Sequence, residues 1–115
     1  MARTEVAAIQ LTRTGVFTAE TVGIADGHMF QNAGRTFILI RNSHATLAKI
    51  VTIQTPQTIL GLAVAELTVS VPALASLYIG PFPIDTFNQA SGSDVGKVYV
   101  DYETPANQFI TVYRM

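Results

Sequence analysis

An all-β fold is what this sequence predicts: an antiparallel β-sandwich, jelly-roll-like, with little or no helix. Three observations carry that reading. Short runs of alternating apolar and polar residues are separated by turn signals at Asp26-Gly27, Asn42-Ser43, Thr55-Pro56, Pro72 and Thr104-Pro105. No window keeps a 3.6-residue period through two helical turns. The stretch Leu67 to Ile84 carries no charged side chain, yet Leu67, Val69 and Val71 alternate with Thr68 and Ser70, and Pro72, Pro81 and Pro83 interrupt it. Prolines at those positions break any helix, so the stretch reads as bent strands and not as a membrane span.

In chain order, Glu5 to Leu11 is a weak strand, Thr12 to Gly15 a turn, and Val16 to Val22 a second strand. Asp26-Gly27 makes a tight turn, because Gly accepts positive φ and Asp hydrogen-bonds its own backbone. His28 to Phe30 is a short strand and Gln31 to Gly34 a turn. Arg35 to Arg41 is apolar on both faces, Phe37 and Leu39 on one and Ile38 and Ile40 on the other. That predicts a central strand with Phe37 and Leu39 in the core. Asn42 to Ala45 turns the chain into Thr46 to Ile53, and the two strands are expected to form a hairpin. Pro56 ends the second of them, and Ile59 to Ala65 is a short helical turn or an irregular strand. Leu67 to Val71 and Ala75 to Ile79 form a strand pair around a corner at Pro72-Ala73, with Leu77 and Ile79 opposite Ser76 and Tyr78. Ile84 to Phe87 is expected as a brief strand, and Asn88 to Gly96, rich in Gly and Ser, as a flexible loop. Lys97 to Tyr102 and Gln108 to Arg114 are the last strands.

At 115 residues the chain is a single domain, residues 1–115, with residues 1–8 as an extended N-terminal arm. It has no cysteine, so disulfides, thiolate metal sites and cysteine nucleophiles are excluded. The net charge is −1 and the 7 Lys and Arg are scattered singly, which disfavours direct nucleic-acid binding. Charged residues are 13% of the chain, against about 25% in an average soluble domain. The shortage predicts surface that faces a partner instead of water, and hence a homo-oligomer, a trimer before a dimer; the competing reading is a surface solvated by Thr, Ser, Asn and Gln. The N-terminus has Arg3 and Glu5 and no apolar core segment, so no secretory signal is expected, and no membrane association.

Chemistry has little to stand on. His28 and His44 flank turns, and no third ligand stands at a recognisable spacing beside them and Asp26, so both are read as exposed or capping a backbone group. Asp101 and Glu103 form a conceivable carboxylate pair for glycoside chemistry or calcium, read as solvated edge charges. Ser91 and Ser93 lack the strand-to-helix turn of a nucleophile elbow. Tyr78, Tyr99, Tyr102 and Tyr113 suit a sugar platform less well than tyrosines straddling core and surface, since there is no Trp. No catalytic, metal or cofactor residue is assigned, and the chain is not expected to be an enzyme.

Three blocks carry a family likeness: ADGHMFQNAGRTFILIRNS at Ala25 to Ser43, GLAVAELTVSVPALASLYIGPFPIDTFNQ at Gly61 to Gln89, and VYVDYETPANQFITVYRM at the C-terminus. Together they resemble small head proteins of tailed bacteriophages associated with decoration, or cement, of the capsid shell. The resemblance implies a β-sandwich on the outer capsid surface of the virion, made in the host cytoplasm, whose partner is the major capsid protein and which binds as a symmetric oligomer. A phage tail or glycan-binding receptor module is the alternative. The family supplies no residue set. The residues themselves suggest three interface segments: Arg3, Thr4, Glu5 and Val6 in the arm, adding to a neighbour as a strand, then Ile59, Leu60 and Leu62, then Ser91, Ser93 and Asp94.

Overall fold

The computed structural model describes residues 3–16, 19–63, 65–90 and 92–115, with the side chain of Ile59 outside that description. In chain order the strands are β1 (Thr4–Glu5), β2 (Ile9–Gln10), β3 (Thr21–Val22), β4 (His28–Gln31), β5 (Thr36–Asn42), β6 (Lys49–Ile53), β7 (Thr58–Ile59), β8 (Leu62–Ala63), β9 (Leu67–Val71), β10 (Ser76–Ile79), β11 (Lys97–Tyr102) and β12 (Gln108–Arg114). One helical turn, α1 (Ile84–Phe87), lies between β10 and β11. The protein is an all-β sandwich. One five-stranded sheet has the order β1-β4-β11-β6-β9; the other has the order β10-β5-β12-β2, with β3 also paired to β12. The core between them takes Phe30, Val51, Ile53, Val98 and Val100 from the first sheet and Ile38, Ile40, Ile79, Ile110 and Val112 from the second.

The two sheets are mixed, not purely antiparallel. The parallel pairs are β1 with β4 and β2 with β12. The expected strand Glu5 to Leu11 is in fact two short pieces, because the chain leaves one sheet after Glu5, buries Val6, and joins the other sheet at Ile9. Of the expected strand Val16 to Val22, only Thr21–Val22 pairs among the described residues, and Phe17 and Thr18 lie outside them.

One expected hairpin is corrected, and the expected corner at Pro72-Ala73 crosses between sheets. β5 pairs with β10 and β12, whereas β6 pairs with β11 and β9, so the turn after Asn42 carries the chain across from one sheet to the other. Similarly, β9 and β10 belong to different sheets, and Pro72 and Ala73 bridge the gap between them. A turn signal marks where a chain reverses, but not whether the next strand hydrogen-bonds beside the last or stacks opposite it. β5 is central, as expected, but its core face is the other one. Ile38 and Ile40 are fully buried, while Phe37 and Leu39 are half-buried on the outer face.

Ile84–Phe87 is a helical turn instead of a strand. Pro83 caps its start, with its carbonyl accepting from the Thr86 and Phe87 amides. The two ends of the segment Asn88 to Gly96 are tied down, and Ser91 lies outside the described residues. Asn32 Nδ2 donates to Asn88 Oδ1 and the Phe82 carbonyl, Asn88 Nδ2 donates to the backbone carbonyls of Asn32 and Gly96, and the Gln89 amide donates to the Lys97 carbonyl. Gly27 fills its turn for a second reason besides φ of +80°, since a Cβ there would collide with Arg3 Nη1 and lie 2.7 Å from Asp101 Oδ1 and the Val100 carbonyl.

Candidate interaction surfaces

The uncharged stretch from Leu67 to Ile84 supplies β9 and β10 before Phe82 turns into the core against Phe30. Among the described residues β9 is the last strand of one sheet and β10 the last strand of the other, and the four-residue corner from Pro72 to Ala75 joins the two open edges. Open edges present unpaired N–H and C=O groups and are usually guarded by charge, and these two carry none. Leu74 caps the corner at φ +59°, with its side chain 71% exposed. Asn42, fully buried at the end of β5, fixes this corner: its Nδ2 donates to the carbonyls of Leu47 (2.9 Å), Val71 (3.0 Å) and Pro72 (3.3 Å).

The arm and the 92–94 loop come together as a polar patch. Arg3 pairs with Asp101 at 2.6 Å and stacks over the Tyr99 ring, and the Tyr99 hydroxyl donates to Asp94. That bond to a carboxylate is the main reason the Tyr99 pKa is raised. Glu5 pairs with Lys97 at 2.9 Å. Arg3, Thr4 and Glu5 are thus laid along their own chain as an edge strand, not held out as a free arm. Val6 packs into the core of its own chain, where it is buried and its amide donates to the Met29 carbonyl at 2.8 Å. Asp94 is engaged within the chain, Ser93 is exposed, and Ser91 lies outside the described residues.

The expected irregular segment Ile59 to Ala65 contains a small hairpin. Among the described residues β7 and β8 pair only with each other, as a two-stranded sheet apart from the two sheets of the sandwich. Its turn residues, Leu60 (φ 52°) and Gly61 (φ 78°), both take the positive φ of a type I′ turn. Leu60 is 97% exposed and Leu62 71% exposed, so the tip is apolar and bare. Ile59 contributes backbone pairing to Leu62.

A fourth surface had no counterpart among the expected site residues. On the outer face of β10, β5 and β12, the Phe37 ring stacks on Tyr113 (5.5 Å between centroids) and tilts against Tyr78 (6.0 Å). Beside them lies an open depression of about 500 Å³, lined by Phe37, Tyr78, Ile79, Pro81 and Met115, with Gly34, Gly80 and Arg35. The signal was present in the alternation of Phe37, Leu39 and Arg41, which places Phe37 opposite Ile38. Because both faces are apolar, alternation does not discriminate between them, and the face expected in the core, Phe37 with Leu39, is the outer one.

Compared with protein-family models, curated proteins and solved structures, the chain matches none.

The titratable groups complete the description. Among the described residues no cluster of three or more His, Asp and Glu has metal-binding geometry. His44 caps its turn, its Nδ1 accepting from the Thr46 and Leu47 amides. His28 departs from expectation. It is buried, with Nδ1 2.7 Å from the Tyr102 hydroxyl, and the loss of solvation lowers its pKa. Burial, and secondarily the Asp101 charge, raises the Tyr102 pKa. Glu103 is exposed and lies beyond the end of β11, while Asp101 holds Arg3 and accepts from Gln54 at 2.6 Å, so the two acids make no carboxylate pair.

A pH dependence follows. A histidine whose folded pKa lies below its unfolded value of 6.5 leaves the unfolded chain holding more protons in acid. The stability is therefore intact above that value and falls as the pH drops through and below it, with a limiting slope of about 1.4 kcal/mol per pH unit. Urea melts from neutral pH downward should show this acid limb in the wild type and a shallower one in His28→Gln. Equal slopes in the two proteins would refute the assignment.

Proposed function

We propose that this chain is a structural virion protein that decorates the outer surface of a tailed-phage capsid and strengthens contacts between major capsid subunits. The observation that supports it best is the uncharged run through β9, the Leu74 corner and β10, which joins two unguarded edges. A water-facing surface of that kind invites indiscriminate edge pairing, whereas a surface covered by a specific partner does not. The family likeness of the same stretch, Gly61 to Gln89, supports the identity of that partner. Strand order supports the jelly-roll reading as well. Leaving aside the N-terminal β1 and β2 and the small hairpin, the order β4-β11-β6-β9 faces β3-β12-β5-β10, an all-antiparallel pair of four-stranded sheets. Jelly rolls serve in viral shells and in lectins, so this argues for a class of architecture and not for one activity.

A protein that bridges neighbouring capsid subunits stabilises the assembled shell by its binding free energy, and repetition by symmetry multiplies weak contacts. The test is addition of the purified protein to capsids from a phage lacking its gene. The wild type should bind to a fixed stoichiometry, and Leu74→Asp should bind at least roughly tenfold more weakly, a loss of about 1.4 kcal/mol, while melting like the wild type. Equal binding by the variant would remove the contact surface, and absence of wild-type binding would remove the capsid role. The aromatic floor of Phe37, Tyr78 and Tyr113 favours a second reading, a glycan-binding tail module, which binding to a glycan array and not to capsids would support.

A further inference from the structure

We infer that the β7–β8 hairpin of one copy seats its Leu60 and Leu62 in the aromatic depression of a second copy of this chain. This rests on the self-association expected from the shortage of charge, and capsid attachment through the β9 and β10 edges is separate from it.

The hairpin needs a partner. A leucine at positive φ crowds its Cβ against the neighbouring carbonyl, which is why Asn or Gly usually occupies that place in the turn. At 97% exposure, Leu60 recovers nothing from its own chain to offset that strain. A strained residue with a bare apolar side chain points to a contact made elsewhere.

The depression supplies a matching receptor. Its volume of about 500 Å³ has room for two leucine side chains, and its walls are apolar: Phe37, Tyr78, Ile79, Pro81 and Met115. The charges at the two rims are complementary. The hairpin segment from Gln57 to Ala65 is uncharged and is followed by Glu66, which is exposed. Arg35 stands exposed at the rim of the depression. Among the described residues the ion pairs use neither Glu66 nor Arg35, so each is left to meet the other across an interface.

Position allows the exchange. Gln57 Nε2 roots the hairpin on the carbonyls of Ile84 (2.9 Å) and Asn88 (2.8 Å). The Ile84 side chain flanks Gly34, which lines the depression. Knob and receptor therefore sit near one end of the sandwich, and copies can exchange hairpins reciprocally about a two-fold axis or in sequence around a closed ring.

The chain has no cysteine, so engineered thiols report without background. Differently tagged Leu60→Cys and Met115→Cys chains, mixed under mild oxidation, should give a covalent heterodimer in roughly tenfold or greater excess over a Leu60→Cys and Leu47→Cys mixture, because docking raises the effective thiol concentration. Leu47 is an exposed leucine in the turn between β5 and β6. Sedimentation across dilution should show the wild type as a dimer or larger ring and Leu60→Asp as a folded monomer. Equal cross-linking in the two mixtures, predominant tip-to-tip Leu60→Cys homodimers, a wild type that is monomeric throughout, or a Leu60→Asp variant of wild-type mass would each overturn the proposal. Capsid addition by the same Leu60→Asp variant keeps a failure here distinct from a failure of the decoration role.

Discussion

Ile40→Ala is expected to destabilise the protein by about 2 to 5 kcal/mol, the range for truncating a fully buried isoleucine. Ile40 sits at the middle of β5, with Leu77 of β10 on one side and Ile110 of β12 on the other, and has no exposed surface. Truncation removes its buried methyl groups and leaves a cavity that two flanking strands, fixed by their ladders, are poorly placed to close. A single domain of this size has only about 5 to 15 kcal/mol of net stability, so the variant loses a large share of it. Phe37→Ala, one strand position from Thr36 and on the outer face, should cost less despite removing a bigger side chain. It loses ring contacts with Tyr113 and Tyr78, worth about 0.5 to 1.5 kcal/mol each beyond their area, but the vacated space opens to solvent. Urea melts of the two variants decide the matter, and a larger loss for Phe37→Ala would return the core to the other face of β5.

Asn42→Ala should cost about 2 to 4 kcal/mol, through one buried side chain that serves several backbone groups. The Asn42 amide spreads its two hydrogens over the carbonyls of Leu47, Val71 and Pro72, and its Oδ1 accepts from the His44 amide at 2.9 Å. Alanine leaves those groups without their partner, the Val71 carbonyl in a buried place where the loss costs most. Asn42→Asp is the sharper test. It keeps the shape and the acceptor for His44, yet places a carboxylate against three carbonyl oxygens, and so should be at least as damaging as alanine. Amide exchange at His44 should rise in the alanine variant well before global unfolding. A near-wild-type melt for both variants would show that the corner holds without Asn42. Under the proposed role the loss would reach capsid binding as well, because Asn42 holds the carbonyls of Val71 and Pro72 at the corner that presents Leu74.

What the sequence determined by itself was local. The limits of β9, β11 and β12 coincide with the runs read from alternation, Leu67 to Val71, Lys97 to Tyr102 and Gln108 to Arg114. The turn at Asp26-Gly27 follows from residue chemistry within a few positions, and the Gly27 amide closes it on the Ile24 carbonyl at 3.0 Å. A one-turn helix at Ile84–Phe87 was also legible in principle, in Pro83 followed by Asp85 in the first turn, although four residues are too few to show a period. The exposed leucines of the Ile59 to Ala65 segment and the segment containing Arg3 to Glu5 were visible as candidates for the same local reason. Tertiary structure decided the rest. Phe37 with Leu39 and Ile38 with Ile40 are equivalent by period, and only the opposing sheet chooses which pair is buried. Whether β5 and β6 pair or stack depends on strands far along the chain that compete for the same ladder, namely β12 and β11. His28 reads as a turn residue until Tyr102, 74 positions later, is brought to its Nδ1. Val6 reads as part of an arm until Met29 and the core receive it. In each case the free energy that selects the outcome comes from burying surface against residues distant in sequence, and no local pattern contains the identity of those neighbours.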